Sequence, residues 1–456
     1  MKLSENGKNS SKNIQLLFLI AAGIVIYPLI VVDCLFPGYG AYIRQQYMIV
    51  PCLLFFGSAV SRQLTPLARK VILLSVAMVA WFVVAQTQHW LAGMGSRSFG
   101  IFIVGYLLAL PFASVTEDAS GDGLKWIGRF YVAYSLVMVV LAGILLLDVV
   151  PAALAAHVKW DGARLSVFAH PNGGGCILML GVCFSVYFLT RAETKGRKWT
   201  WGVLTALQFG GLALTNSRTS ILLSCALIAG TLFFSVWDGS WKRFLAGAAA
   251  ALAVILVLFS LAGTLYDLHS QAQINKLIRQ YMEQPEGAFT EQQKLVYGEN
   301  GEICIAGSDT AKQGELLADA GTLNGRTEIW QAAFSTLEDN PGIRIWGTEN
   351  YSAEISYRNR FPAVNAHNSW IQVTLLLGIP GGLLALLYTL IAVWNLWKVM
   401  WRKQEDISRK VVAMMVICLL AASILEAYLF DGDTIFTNLL FFLCTGYLML
   451  WNAEAK

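Results

Sequence analysis

The sequence predicts an all-α protein, a polytopic bundle of about twelve membrane-crossing helices with one large extracytoplasmic loop late in the chain. Three observations lead there. First, 56% of the 456 residues are hydrophobic and only 14% are charged, whereas a soluble domain carries roughly 25% charged residues. Too few charges exist to face water over a chain of this length, so lipid must cover most of its surface. Second, apolar runs of bilayer length, about 20 residues, recur along the chain. Third, Lys and Arg collect on alternate connections between those runs, as the topology of a membrane protein demands.

The first run begins at Ile14, after Lys2, Lys8 and Lys12. It is too long for a signal-peptide core and lacks a small-residue cleavage site, so it reads as an uncleaved first helix. Further spans follow near 45–60, 71–90, 98–115, 126–148, 171–190, 199–215, 219–236, 244–264, 367–397, 411–430 and 435–451, the first being 14–32. With the N-terminus in the cytoplasm, the inner segments hold 20 Lys and Arg, among them Arg62, Lys70, Arg129, Lys195, Lys198, Arg243, Arg402 and Arg409. The short outer loops hold 5: Arg44, Arg97, Lys159, Arg164 and Arg218. The positive-inside rule requires this direction of bias, and it places both termini in the cytoplasm. Three regions result: nine spans in 1–264, an outer loop over 265–366, and three spans in 367–456.

Composition also excludes several classes. No basic block suggests nucleic acid. The 8 cysteines fall mostly inside apolar runs and form neither a disulfide framework nor a zinc-ligand spacing. No internal repeat is visible. The outer loop, at about 100 residues, is too long for a plain connection. Ile274, Leu277, Ile278 and Tyr281 recur at helical spacing and predict an amphipathic helix on the membrane or the protein. Residues 284–322 are rich in Gly, Glu and Gln and read as an irregular insertion. Asn324-Gly325-Arg326 then leads into Ile329, Trp330, Ala333, Phe334 and Leu337, a second amphipathic helix that stops at Asn340-Pro341.

Several charged or polar residues sit against the grain of this map. The apolar stretch from Trp199 to Trp237 is too long for one span and is broken only by Asn216-Ser217-Arg218. Arg218 therefore lies at a tight turn near the outer interface, where it either snorkels to headgroups or lines a cavity and pairs with an anion. Arg164 and His170-Pro171-Asn172 lead into the sixth span. Pro171 suits a helix start, and Gly173–Gly175 permits close approach of a ligand or of a packed neighbour. Arg326 stands in the first turn of the second loop helix, where free N–H groups already attract anions; an ordinary pairing with Glu328 or another loop acid is the alternative. His367-Asn368-Ser369 closes the loop where the tenth span begins, and a histidine there either accepts a proton or caps the helix. Asp431-Gly432-Asp433 reads as a turn rather than a metal site, and no metal or other cofactor is expected.

In order, Arg164…His170-Pro171-Asn172, Asn216-Ser217-Arg218, Gly325-Arg326-Thr-Glu-Ile-Trp330 and His367-Asn368-Ser-Trp-Ile-Gln resemble the O-antigen ligase/polymerase superfamily of bacterial envelope enzymes. The resemblance covers residues 160–390 most strongly. It implies a glycosyltransferase in the bacterial cytoplasmic membrane, with an undecaprenyl-pyrophosphate-linked glycan as donor and a glycan or lipid hydroxyl as acceptor. It further implies that Arg218 and Arg326 hold the pyrophosphate, that His367 serves the acceptor hydroxyl, and that Arg164, His170, Asn172 and Asn368 contact substrate. Electrostatics agrees: the leaving group is an anion, and planar guanidinium groups grip phosphate oxygens two at a time. Polymerase and ligase share this donor chemistry. The alternative of another class is a transporter or flippase of about a dozen helices, which would show repeat symmetry and ionisable groups near mid-membrane.

Overall fold

The computed structural model describes residues 122–151, 154–155, 158–161, 163–167, 171–237, 239–283, 295–297, 303–305, 326–348, 350–358, 365–402, 405–430 and 435–454, with scattered helical positions between 77 and 91. The expected spans at 14–32, 45–60 and 98–115 lie outside these residues, as do His170, the Asp431–Asp433 turn and most of 284–322. Among the described residues six helices are long and apolar enough to cross a membrane, which makes this an all-α membrane protein. The chain forms two compact units, residues Tyr131–Leu323 and residues Met1–Phe130 with Asn324–Lys456.

The 131–323 unit takes the larger part of α1 (Asp122–Leu146) and then a short antiparallel hairpin of β1 (Val158–Asp161) and β2 (Arg164–Val167). Four helices follow: α2 (Pro171–Arg191), α3 (Lys195–Thr215), α4 (Arg218–Val236) and α5 (Trp241–Glu283). Its interior is held by polar side chains as well as apolar ones. Ser185 donates to Gln208 Oε1 (2.8 Å), and Gln208 Nε2 donates to Ser135 Oγ (2.8 Å), tying α2, α3 and α1 together. Gly181 of α2 leaves room for this link, since a Cβ there would collide with Ser135. Such small-residue contacts and interhelical hydrogen bonds replace the hydrophobic effect where lipid is the solvent. The helix α3, expected to span at 199–215, is not among the six spanning candidates; Lys195, Arg197, Lys198, Thr200, Thr205 and Gln208 make it too polar.

The largest departure in this unit is α5. The sequence suggested a span ending near 264 and a separate amphipathic helix at 274–281, but the two are one helix of 43 residues. At 1.5 Å per residue it is about 65 Å long, roughly twice a bilayer's hydrocarbon core. Beyond Gly263 no glycine or proline interrupts the chain until Pro285, so the backbone has no reason to break. The part beyond Gly263 is anchored by burial of Tyr266, His269, Ser270 and Ile274, which share one face, and by an ion pair from Lys276 to Asp148 beyond the end of α1. Within the insertion expected to be irregular, β3 (Leu295–Tyr297) pairs with β4 (Ile303–Ile305) in a second small hairpin.

The other unit contains α6 (Arg326–Asp339), α7 (Pro341–Trp346), α8 (Tyr351–Arg358), α9 (Ser369–Met400), α10 (Ile407–Leu425) and α11 (Ile435–Glu454). The start of α6 at Arg326 and its stop before Asn340-Pro341 agree with the sequence; α7 and α8 were not anticipated. The expected span at 367–397 is among the six candidates as Ser369–Met400, but it is not one straight helix. At Gly378 the backbone turns through φ 69°, ψ 178°, and the first nine residues of α9 fold back along the remainder. Trp370 Nε1 donates to Thr389 Oγ1 at 3.1 Å, two groups that a straight helix would hold about 28 Å apart. A Cβ on Gly382 would strike Thr374, and one on Gly381 would strike Leu377. The arm 369–377 is thus a re-entrant half-helix, about 13 Å long, and only 379–400 is long enough to cross.

Irregular backbone in a membrane protein must find partners for its polar groups. Here Thr348 N–H donates to Leu375 O (2.7 Å) and the Trp81 indole donates to Leu377 O (2.8 Å). The end of α7 seats against the break: Gly347 and Gly378 both have positive φ, and a Cβ on either would collide with backbone of the other segment. Loop helices α6 and α8 pack on the re-entrant arm through Ile329, Ala333, Leu337, Ile355 and Leu375. The loop is therefore anchored, at its C-terminal half, by an apolar core of its own.

Candidate functional site

The fold-back of α9 sets His367 and Asn368 at the start of the arm, near the level of Thr389 in the remainder of the helix. Asn368 caps the arm, its Oδ1 accepting from Trp370 N–H and Ile371 N–H (both 3.0 Å), while its Nδ2 donates to Ile424 O (3.0 Å). Ser369 donates to the backbone oxygen of Glu426 (3.2 Å) and accepts from Leu429 N–H (2.9 Å). These bonds join the arm to the end of α10, where the helix stops at Glu426 in extended backbone.

Glu426 is the centre of the site. One carboxylate oxygen accepts from Arg326 Nη2 (2.7 Å) and the other meets His367 Nδ1 (2.9 Å). Its side chain is only 10% exposed, against 16% for Arg326 and 32% for His367. Burial alone would push this carboxyl up; the hydrogen bond and charge of His367, together with the charge and hydrogen bond of Arg326, outweigh it and hold the group below its ordinary value. An ionised Glu426 only accepts, so Nδ1 carries a ring hydrogen, and in the neutral form of the ring Nε2 is the nitrogen with the lone pair. Arg326 opens α6, and its Nε is buried with no hydrogen-bond partner. A buried donor left unpaired is costly and marks a group poised for an acceptor atom. The arrangement offers a base with an oriented tautomer beside a cation, the pairing that hydroxyl attack on a phosphate-activated centre uses.

A second set of expected residues gathers in the 131–323 unit. Arg164, at the start of β2, donates from Nε to Thr215 O (3.0 Å) and from Nη2 to Asn172 Oδ1 (2.6 Å). It thereby ties the hairpin to the end of α3 and the start of α2. Asn216 closes α3 in left-handed backbone (φ 47°), Ser217 precedes α4, and Arg218 is its first residue. Ser217 is buried and hydrogen-bonded to Ser220 (3.0 Å). A Cβ on Gly175 would strike Ser217, so this glycine serves close helix packing, the structural alternative raised by the sequence. Pro171 begins α2, as expected.

Arg326 and His367 are thus brought together, with Arg164, Asn172 and the Arg218 turn forming a group of their own. The residue that sequence reasoning missed is Glu426, visible beforehand only as a lone acid at the end of an apolar span. Such an acid is a functional candidate with a partner to be named, and the partners were Arg326 and His367. Among the described residues no cluster of His, Cys, Asp and Glu could hold a metal.

A family model described as O-antigen ligase matches residues 202–386. The matched stretch runs from α3 through the re-entrant hairpin and includes Arg218, Arg326 and His367. No curated protein matches the chain.

Proposed function

We propose, from the premise that the chain belongs to the O-antigen ligase/polymerase superfamily, that it moves a glycan from a lipid pyrophosphate to an acceptor hydroxyl. His367 Nε2 takes the proton of the acceptor hydroxyl, whose oxygen attacks the sugar's anomeric carbon as the bond to the pyrophosphate oxygen breaks. The glycan ends on the acceptor with inverted configuration, the proton on His367, and the negative charge on the departing lipid pyrophosphate. Arg326 and Arg218 neutralise that charge, with Arg164, Asn172 and Asn368 as substrate contacts and Glu426 fixing the tautomer of His367 and the aim of Arg326. His170 belongs to the same proposal from its motif alone. The observation that carries the reading is the His367–Glu426–Arg326 cluster, a base and a cation sharing one orienting carboxylate.

The proposal includes a donor on an undecaprenyl pyrophosphate, a location in the cytoplasmic membrane of a bacterium, both termini in the cytoplasm, and transfer on the outer face. It also retains about twelve spans, with the divisions at 264 and 366 taken from the positive-inside pattern. Analysis of envelope glycans in a strain lacking the protein tests it. Accumulated single lipid-linked units identify a polymerase, and accumulated finished chains on lipid identify a ligase. Unchanged envelope glycans and no lipid-linked intermediate would defeat the proposal.

A further inference from the structure

His367 has a left-handed backbone, φ 47°, uncommon outside glycine though adopted by histidine more readily than by most residues. Its surroundings are specific. The peptide between Ala366 and His367 is held at both ends: its carbonyl accepts from Trp330 Nε1–H (2.9 Å), and its N–H donates to Asn365 Oδ1 (2.9 Å). One residue earlier, Ala366 N–H donates to Gln372 Oε1 (2.9 Å). On the other side, the Asn368 cap and the bond from Ser369 to Glu426 fix the chain. With both flanking segments pinned, rotation about the His367 N–Cα bond is blocked in the left-handed state. That state aims Nδ1 at Glu426.

Gln372 adds an independent observation. It is fully buried, and while its Oε1 accepts from Ala366, its Nε2 has no hydrogen-bond partner. A methionine or leucine would fill the same volume without stranding a buried amide N–H. What the glutamine supplies that they cannot is the acceptor for Ala366 N–H. Trp330 likewise packs on the apolar core of the loop helices, where phenylalanine would serve as well but for the indole N–H. Both residues lie in the sequence motifs around Arg326 and His367, and both bond to Ala366 rather than to Glu426.

We infer that Trp330 and Gln372 are positioning residues, which grip the Ala366 peptide groups and so hold His367 in the left-handed backbone that points its ring at Glu426. The inference rests on the proposed role of His367 as the base. Freed of either grip, the peptide relaxes toward negative φ, the ring leaves Glu426, and the tautomer is no longer set.

The test uses the purified full-length chain in lipid nanodiscs with a lipid-pyrophosphate-linked oligosaccharide and an acceptor. Trp330→Phe and Gln372→Met should each lower kcat by about 10–100-fold, the range for removal of an orienting partner, with the donor KM within about twofold and the protein still cooperatively folded. In a His367→Ala background the same two substitutions should cost nothing further, because their only route to the chemistry has been removed. Equal losses in both backgrounds, or full kcat in both single variants, would overturn the positioning role. Full activity of His367→Ala alone would instead overturn the reading of His367 as base, so the two failures are distinguishable. Where Trp330→Phe fails to fold, Gln372→Met decides alone.

Discussion

Glu426 binds a histidine with one oxygen and an arginine with the other, so single substitutions around it separate three roles. His367→Ala should lower turnover by about 10²–10⁴-fold, the usual value of general-base assistance, with little change in donor binding. Glu426→Gln should approach the same loss, because an amide has no charge to fix the ring tautomer. The same substitution has a second signature. A carboxyl held below its ordinary value in the folded state stabilises the protein fully above that ordinary value. The contribution disappears as pH falls through the depressed folded value. Acid unfolding followed by tryptophan fluorescence should show that loss in the parent chain and not in Glu426→Gln. For the arginines, Arg218→Ala and Arg326→Ala should each cost roughly 2.7–4 kcal/mol of transition-state stabilisation. Lysine should restore little at either site, since an ammonium lacks the planar two-point grip. Full transfer activity in both Arg→Lys variants, at matched protein level, would defeat the pyrophosphate clamp.

At the level of elements, the break in α9 decides where His367 lies. A straight α9 would keep the start of the helix at the far end of one long rod; the turn at Gly378 folds it back beside Thr389. Gly378→Ala should destabilise by at least roughly 1–3 kcal/mol from backbone strain alone, and the collision with the Ile345 carbonyl adds to this. Gly347→Ala meets the Leu376 backbone and should behave alike. Gly143→Ala in α1 and Gly263→Ala in α5 are the controls, with nothing near a new Cβ and a helix preference for alanine of about 1 kcal/mol. Melting of the four variants in detergent measures the difference. Equal melting temperatures would mean that the hairpin does not depend on its glycines.

For the whole molecule, the testable quantity is which side of the membrane each connection occupies. In a cysteine-free background, single cysteines at Asn300 and Ala320 should react with an impermeant thiol reagent in intact cells, after permeabilising any outer membrane. Cysteines at Lys195 and Gln404 should react only after lysis. Labelling of position 195 in intact cells would invert the arrangement from which the outer-face site is argued. Lys398 over Trp394 and Arg409 over Trp451 lie at the end of the second unit that the charge bias assigns to the cytoplasm.

Membrane class, the start and stop of α6 and the tight turn before Arg218 were legible in the sequence, where Arg326 and His367 also stood out as candidates. Each rests on local physics: apolar length against bilayer thickness, turn and cap residues, and charges out of place among apolar neighbours. The fold-back of α9 was missed although Gly378, Pro380, Gly381 and Gly382 mark a break in the run from Ser369 to Met400; what those residues do not announce is the direction of the turn, which the φ of Gly378 sets. The continuation of α5 was missed for the opposite reason, a change from apolar to amphipathic composition without any residue that breaks a helix. Glu426 was visible as an acid, but its partners lie 59 and 100 residues away along the chain. Only the tertiary structure could pair it with His367 and Arg326, because ion pairs depend on distance in space, which the order of residues along a chain does not encode.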